Sequence, residues 1–180
     1  MINCQPAHIE GSFILEPKML KDERGVFSRL FCQTTLAVAG CDFQIVQINN
    51  SATSRAGTIR GLHYQTGSFA EQKLVRCVSG SVYDVMADTR RDSSTFGQWF
   101  GTTLTAKERN MLLIPEGVAH GFLSLENSAE IIYASTAEYS PTDEQGLRWD
   151  DPFFAIEWPS NDSFILSDKD RQWPDFLVGQ

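Results

Sequence analysis

The sequence predicts a mostly β fold, a sandwich or barrel formed by a single domain spanning residues 1–180. Three observations lead to this. Between Thr58 and Ser135 the chain breaks into short runs of strand formers, with turn signals between them. No long helical period interrupts that span. At 180 residues and 42% hydrophobic content, the chain is long enough to bury a real core.

Residues 1–12 read as an N-terminal arm that can stay local or pair with another subunit. Phe13-Ile14-Leu15-Glu16 suggests a strand ended by Pro17. Lys21 to Phe27 is a charged turn pivoting on Gly25, with an aromatic just behind it. Residues 34–39 predict a short helix, and Gly40 is its stop. Phe43–Ile48 predicts a strand, followed by Asn49-Asn50-Ser51. The β-rich span follows, with strands at Thr58–Tyr64, Lys73–Val78, Ser81–Ala87, Gln98–Leu104, Met111–Ile114, Gly121–Leu125 and Glu130–Ser135. Gly67-Ser68, Ser79-Gly80, Arg91 to Ser94, Pro115-Glu116-Gly117 and Glu126-Asn127 separate them. The C-terminal segment, residues 140–180, carries Trp149, Trp158 and Trp173 beside Pro152, Pro159 and Pro174. It is too aromatic for a disordered tail and is expected to pack as short turns on the sheet.

A net charge of −8 disfavours nucleic acid as a partner, although a local basic cluster can still bind a compact anion. Met1 to Pro6 contain neither a basic region nor an apolar run, so no signal peptide is expected. No apolar stretch is long enough to cross a membrane. The four cysteines, Cys4, Cys32, Cys41 and Cys77, form no Cys-x-x-Cys pair and read as reduced thiols of a cytoplasmic protein.

The densest chemistry lies in Arg60-Gly61-Leu62-His63-Tyr64-Gln65. In a regular strand Arg60, Leu62 and Tyr64 share one face and His63 lies on the other. His63 is one of only three histidines, with His8 and His120. Taken alone, it is as readily a histidine satisfied in a polar cluster as a catalytic base. His120 lies in Pro115-Glu116-Gly117-Val118-Ala119-His120, which resembles the second motif of the cupin superfamily, a jelly-roll barrel. The His-x-His of metal-binding cupins is missing, because Tyr64 and Gln65 follow His63. The jelly-roll therefore fits while a metal site does not, and no metal is expected.

The motifs then become specific. Arg60 to Gln65, Lys73-Leu-Val-Arg-Cys-Val-Ser-Gly80, Asp84-Val-Met-Ala-Asp88-Thr-Arg90, Ser94-Thr-Phe-Gly97-Gln-Trp99, Ile114 to Phe122, Trp149-Asp-Asp-Pro152, Ile156-Glu-Trp-Pro159 and Ser167-Asp-Lys-Asp170 occur in this order. Together they closely resemble the dTDP-4-dehydrorhamnose 3,5-epimerase family, from about Phe13 to Pro174. The resemblance implies a cupin-type jelly-roll with short flanking helices. It also implies a cofactor-free epimerase of a nucleotide-linked 4-keto-6-deoxy sugar, acting at C3 and/or C5. By the same resemblance, His63 is the base, oriented by Asp170. Tyr133 is the acid, Lys73 stabilises the enolate oxygen, and His120 lies nearby. Nucleotide binding maps to Arg24, Gln47, Asn49, Arg60, Glu144 and Lys169, with Phe27 and Tyr139 as stacking aromatics. Part of that set comes from a partner subunit in the family, which implies a homodimer.

The residue types suit the reaction. Removing a proton beside a ketone places charge on the ketone oxygen, which a fixed cation stabilises. An imidazole titrating near neutrality can take the proton, and inversion needs a second group on the opposite face. Two departures stand out. Arg29 occupies a position where characterised members carry glutamate, and Glu71 one where they often carry glutamine. Rival readings are a single-carbon epimerase of another nucleotide sugar, a metal-dependent cupin enzyme and a non-catalytic sugar-nucleotide-binding cupin.

Overall fold

The computed structural model describes residues 2–159 and 163–177. Met1, at the start of the expected arm, and residues 160–162 and 178–180 of the C-terminal segment lie outside the described residues. Two sheets face each other. The six-stranded sheet has the order β1-β2-β10-β7-β12-β5 and the five-stranded sheet the order β13-β6-β11-β8-β9. The strands are β1 (Ile2–Pro6), β2 (Phe13–Pro17), β5 (Gln47–Thr53), β6 (Ile59–Gln65), β7 (Lys73–Ser79), β8 (Ser81–Asp88), β9 (Trp99–Thr105), β10 (Met111–Ile114), β11 (Val118–Ser124), β12 (Ala129–Ser135) and β13 (Glu144–Gly146). Pairing within both sheets is antiparallel, and from β5 to β8 and again from β9 to β13 successive strands change sheet. That alternation is jelly-roll connectivity. A small hairpin, β3 (Leu20–Asp22) with β4 (Gly25–Phe27), stands apart with every residue exposed.

Period-two alternation explains which side chains go where. Leu112 and Ile114 of β10 point inward, with Val75 and Cys77 of β7 and Ile131 of β12. They meet Val82 and Met86 of β8, Leu104 of β9 and Val118 and Phe122 of β11 between the sheets. The opposite faces are covered too. Met111 and Leu113 pack with Leu36 of helix α1 (Gln33–Val38) and with Phe43. Leu62, Val85, Ala87 and Ala119 are covered by the C-terminal segment through Leu147, Phe154, Ile156, Trp158 and Phe176. This burial of apolar area on three fronts is the main favourable term holding the layers together.

The arm enters the structure as β1, paired with β2 at the sheet edge. The strand expected at Phe43–Ile48 lies further along, at Gln47–Thr53, so Asn49-Asn50-Ser51 is strand rather than turn. Full pairing to β12, from Ala129 to Ser135, overrides the turn preference of those residues. β11 likewise begins at Val118, which places His120 within a strand. All four cysteines are free thiols. Among the described residues no helix is long and apolar enough to cross a membrane.

Candidate active site

Toward β5 the space between the sheets is not filled. Two adjoining cavities of about 480 Å³ and about 350 Å³ open there, and His63, Lys73 and Tyr133 line both. Register explains how three different strands deliver these groups. Lys73 pairs with Ser135 and Val75 with Tyr133, so Lys73 and Tyr133 are diagonal neighbours on one face of the six-stranded sheet. Asn49 pairs with Tyr133 and Gln47 with Ser135, which continues the same face onto β5. His63 comes from the other sheet, directly opposite His120.

Simple alternation misplaces Arg60. His120 pairs with His63 and Phe122 with Arg60, so three steps along β6 match two along β11. This bulge brings Arg60 and His63 onto the same, inward face, and both line the larger cavity. Leu62 turns outward into the apolar layer beneath the C-terminal segment. Gly61 makes the bulge possible. Its φ is +97°, and a Cβ there would sit 2.6 Å from the His120 carbonyl oxygen.

His63 is held by a short helix at the far end of the chain, α2 (Asp168–Arg171). The Ser167 hydroxyl caps it by accepting from the Asp170 N–H at 3.1 Å. Asp170 is buried and accepts a hydrogen bond from His63 Nε2–H at 2.6 Å and from the Gly61 N–H at 3.4 Å. Burial pushes the Asp170 carboxyl up. The bond from His63, the pull of the same ring and the Ser167 and Gly61 contacts outweigh it and leave the carboxyl below its usual range. With Nε2–H committed to Asp170, Nδ1 of the neutral ring is left to accept a proton. Nδ1 lies 3.8 Å from Glu144 Oε1. Glu144 in turn accepts from the Tyr139 hydroxyl at 2.8 Å and pairs with Lys169. Against burial, these partners hold its carboxyl low. Trp173 packs edge-on against the imidazole, with ring centroids 6.2 Å apart.

Lys73 is 8% exposed and donates to the His63 carbonyl at 3.2 Å; it also pairs with Glu71 at 3.2 Å. Tyr133 is half-buried, and burial, then Glu71 and Glu144, push its phenol up, so it stays protonated and able to donate. His120 is paired with the buried Asp84, its Nε2 3.0 Å from Oδ1. Arg60 donates to the Thr53 hydroxyl at 3.1 Å and to the Ala52 carbonyl at 3.2 Å. An accepting imidazole on one sheet thus faces a cation and a protonated phenol on the other across a recess, a set able to move a proton beside a carbonyl. Among the described residues, no three of the His, Cys, Asp and Glu side chains come together as a metal-binding group.

Arg60, His120 and Lys169 line the larger cavity, and Gln47, Asn49, Tyr139 and Glu144 the smaller. Arg24, Phe27 and Arg29 line neither. Arg24 pairs with Asp22 on the exposed hairpin, Phe27 is 66% exposed, and Arg29 is exposed just beyond it. Asp84 and Ser51 carry no role in the sequence reading. Asp84 had a detectable signal: it is an acid inside the apolar run of β8, where a buried charge requires a partner. Ser51 had none, since its neighbours imitate a turn.

A family model described as dTDP-4-dehydrorhamnose 3,5-epimerase matches residues 6–177. The chain is 46% identical over 167 residues to the dTDP-4-dehydrorhamnose 3,5-epimerase of Salmonella typhimurium, covering 92% of this chain and 91% of that one. It is similar to the crystal structure of the Bacillus anthracis enzyme of the same name with TDP and PPi bound. There the TM-score is 0.94 at 39% identity, over 98% of this chain and 100% of that one. A third similarity is to the dTDP-6-deoxy-D-glucose-3,5-epimerase of Legionella pneumophila in complex with dTDP-4-keto-L-rhamnose. The TM-score is 0.88 at 38% identity, over 94% and 90% of the two chains.

Proposed function

The chain belongs to the dTDP-4-dehydrorhamnose 3,5-epimerase family, and from that membership we propose that it epimerises dTDP-4-dehydro-6-deoxyglucose at C3 and C5, giving dTDP-4-dehydrorhamnose. The observation that carries the reading is the His63–Asp170 pair, with Lys73 and Tyr133 lining the same recess from the other sheet. His63 Nδ1 takes the proton from the carbon beside the ketone. The electron pair moves to the ketone oxygen, which the Lys73 ammonium stabilises as an enolate. Fixed donors of this kind are worth roughly 10²–10³ in rate. Asp170 orients the imidazole through its hydrogen bond to Nε2. Tyr133 delivers a proton to the opposite face, which inverts the carbon. None of these steps calls on a metal.

The nucleotide is held by Arg60, Lys169, Gln47 and Asn49. Arg24, Phe27 and Arg29 are supplied by a second copy, whose hairpin closes the site in a homodimer. The exposure of Phe27, together with Ile48 (62%) and Ile132 (37%) on the outer face of the six-stranded sheet, supports that arrangement. The test is incubation with dTDP-4-dehydro-6-deoxyglucose in deuterated water, followed by proton NMR and mass spectrometry. Deuterium is expected at both C3 and C5. Absence of uptake at both carbons would refute the reading, and uptake at one alone would reduce it to a single-carbon epimerase.

A further inference from the structure

Glu71 precedes β7 by two residues, and on extended backbone that spacing puts it on the same face as Lys73. Its side chain is 8% exposed and that of Lys73 11%, so the pair is nearly out of water. Among the described residues Lys73 is the one ion-pair partner of Glu71. Both line the smaller cavity, where Glu71 forms part of the wall beside Tyr133.

An ammonium has three protons and rotates freely about its last bond. In this molecule one proton goes to the His63 carbonyl at 3.2 Å, and Glu71 Oε1 lies 3.2 Å from Nζ as its ion-pair partner. A fixed acceptor and a fixed anion hold the ammonium in place and leave N–H capacity free for a ligand. A buried acid beside the cation also has a cost. It partly cancels the charge that an enolate oxygen would feel, and it must itself be desolvated. A carboxylate kept there is therefore explained by what it does for the geometry of the ammonium.

We propose that Glu71 is a positioning residue: together with the His63 carbonyl it fixes the Lys73 ammonium so that its remaining N–H meets the substrate ketone oxygen. The proposal rests on the enolate chemistry given under the proposed function. Glu71→Ala frees the rotor, and displacement of a catalytic group by about 1 Å costs ~10²-fold. Its kcat is expected to fall ten- to a hundred-fold, with KM changed by no more than about three-fold, because the loss is of transition-state geometry. Glu71→Gln keeps an amide oxygen of the same reach beside the ammonium, so its kcat should stay within about five-fold of wild type. On a Lys73→Met background Glu71→Ala should add no further loss, since neighbouring residues acting through one contact are not additive.

Wild-type kcat in Glu71→Ala would overturn the proposal. So would a Glu71→Gln as slow as Glu71→Ala, or full additivity with Lys73→Met. If Glu71→Ala does not fold, Glu71→Met fills the volume without an acceptor and takes its place. Failure of both to fold would make Glu71 a structural residue and equally overturn the idea. Wild-type protein with no solvent exchange would instead sink the reading of the reaction.

Discussion

β10 and β5 belong to one sheet and face the same interior, yet they serve opposite ends. All four residues of β10 are buried, apolar on both faces, and wedged between β2 and β7. β5 is an edge strand whose inner residues, Gln47, Asn49, Ser51 and Thr53, are polar, while Ile48, Asn50 and Ala52 on its outer face are exposed. Filling one side with aliphatic side chains makes a rigid floor. Lining the other with amides and hydroxyls leaves a recess in which water or a polar ligand can be accommodated. Stability and chemistry are thus assigned to opposite sides of a single layer, and substitutions should separate them.

The largest effect is expected on the hollow side. His63→Ala should remove solvent exchange at every epimerised carbon, a loss of at least ~10²–10⁴ in rate, with the thermal midpoint little changed. Near-normal deuterium uptake would mean another base. Tyr133→Phe should lose inversion while keeping exchange, because His63 and Lys73 still form the enolate and the imidazole returns the proton to the original face. Mass spectrometry should find deuterium in uninverted substrate; inversion at close to the wild-type rate would point to Tyr139 or a water as donor. On the filled side, Leu112→Ala should cost ~2–5 kcal/mol of stability, measured by urea denaturation, with kcat per folded molecule unchanged. A fall in kcat matching the loss of stability would erase the distinction between the two sides. Smallest is Arg29→Glu at the exposed hairpin, expected to move KM or nucleotide preference several-fold with kcat less affected. A change confined to kcat would place Arg29 at the reacting atoms instead.

Much of this layout was legible in the sequence because short runs of strand formers bounded by turn residues announce themselves as strands. Met111–Ile114 and the runs starting at Lys73 and Ser81 fall where the pattern puts them. Legibility failed where local chemistry and pairing disagree. Asn49-Asn50-Ser51 has the composition of a turn, and only the partner strand β12 makes it β5. The bulge at Gly61 breaks the period of two, so the shared face of Arg60 and His63 depends on β11, whose register no local pattern encodes. The hairpin carrying Arg24 and Phe27 reads as a charged turn, but that it lines neither cavity is a matter of tertiary placement.

The seat of Trp173 carries one more consequence. Its indole lies edge-on to the His63 ring, with Lys169 Nζ 5.9 Å from its centroid, and a Cβ at Gly146 would collide with it, so its position is closely defined. The emission of an indole responds to the polarity and charge beside it, so the molecule carries an optical reporter next to the recess. The chain has three other tryptophans, and subtracting the spectrum of Trp173→Phe isolates the signal of interest. That difference should change when dTDP is added, and it should change less in His63→Ala. A difference spectrum unmoved by saturating dTDP would show that the indole does not sense the recess. If the change is there, filling of the site can be followed by fluorescence in stopped flow, with no coupled enzyme between binding and the detector.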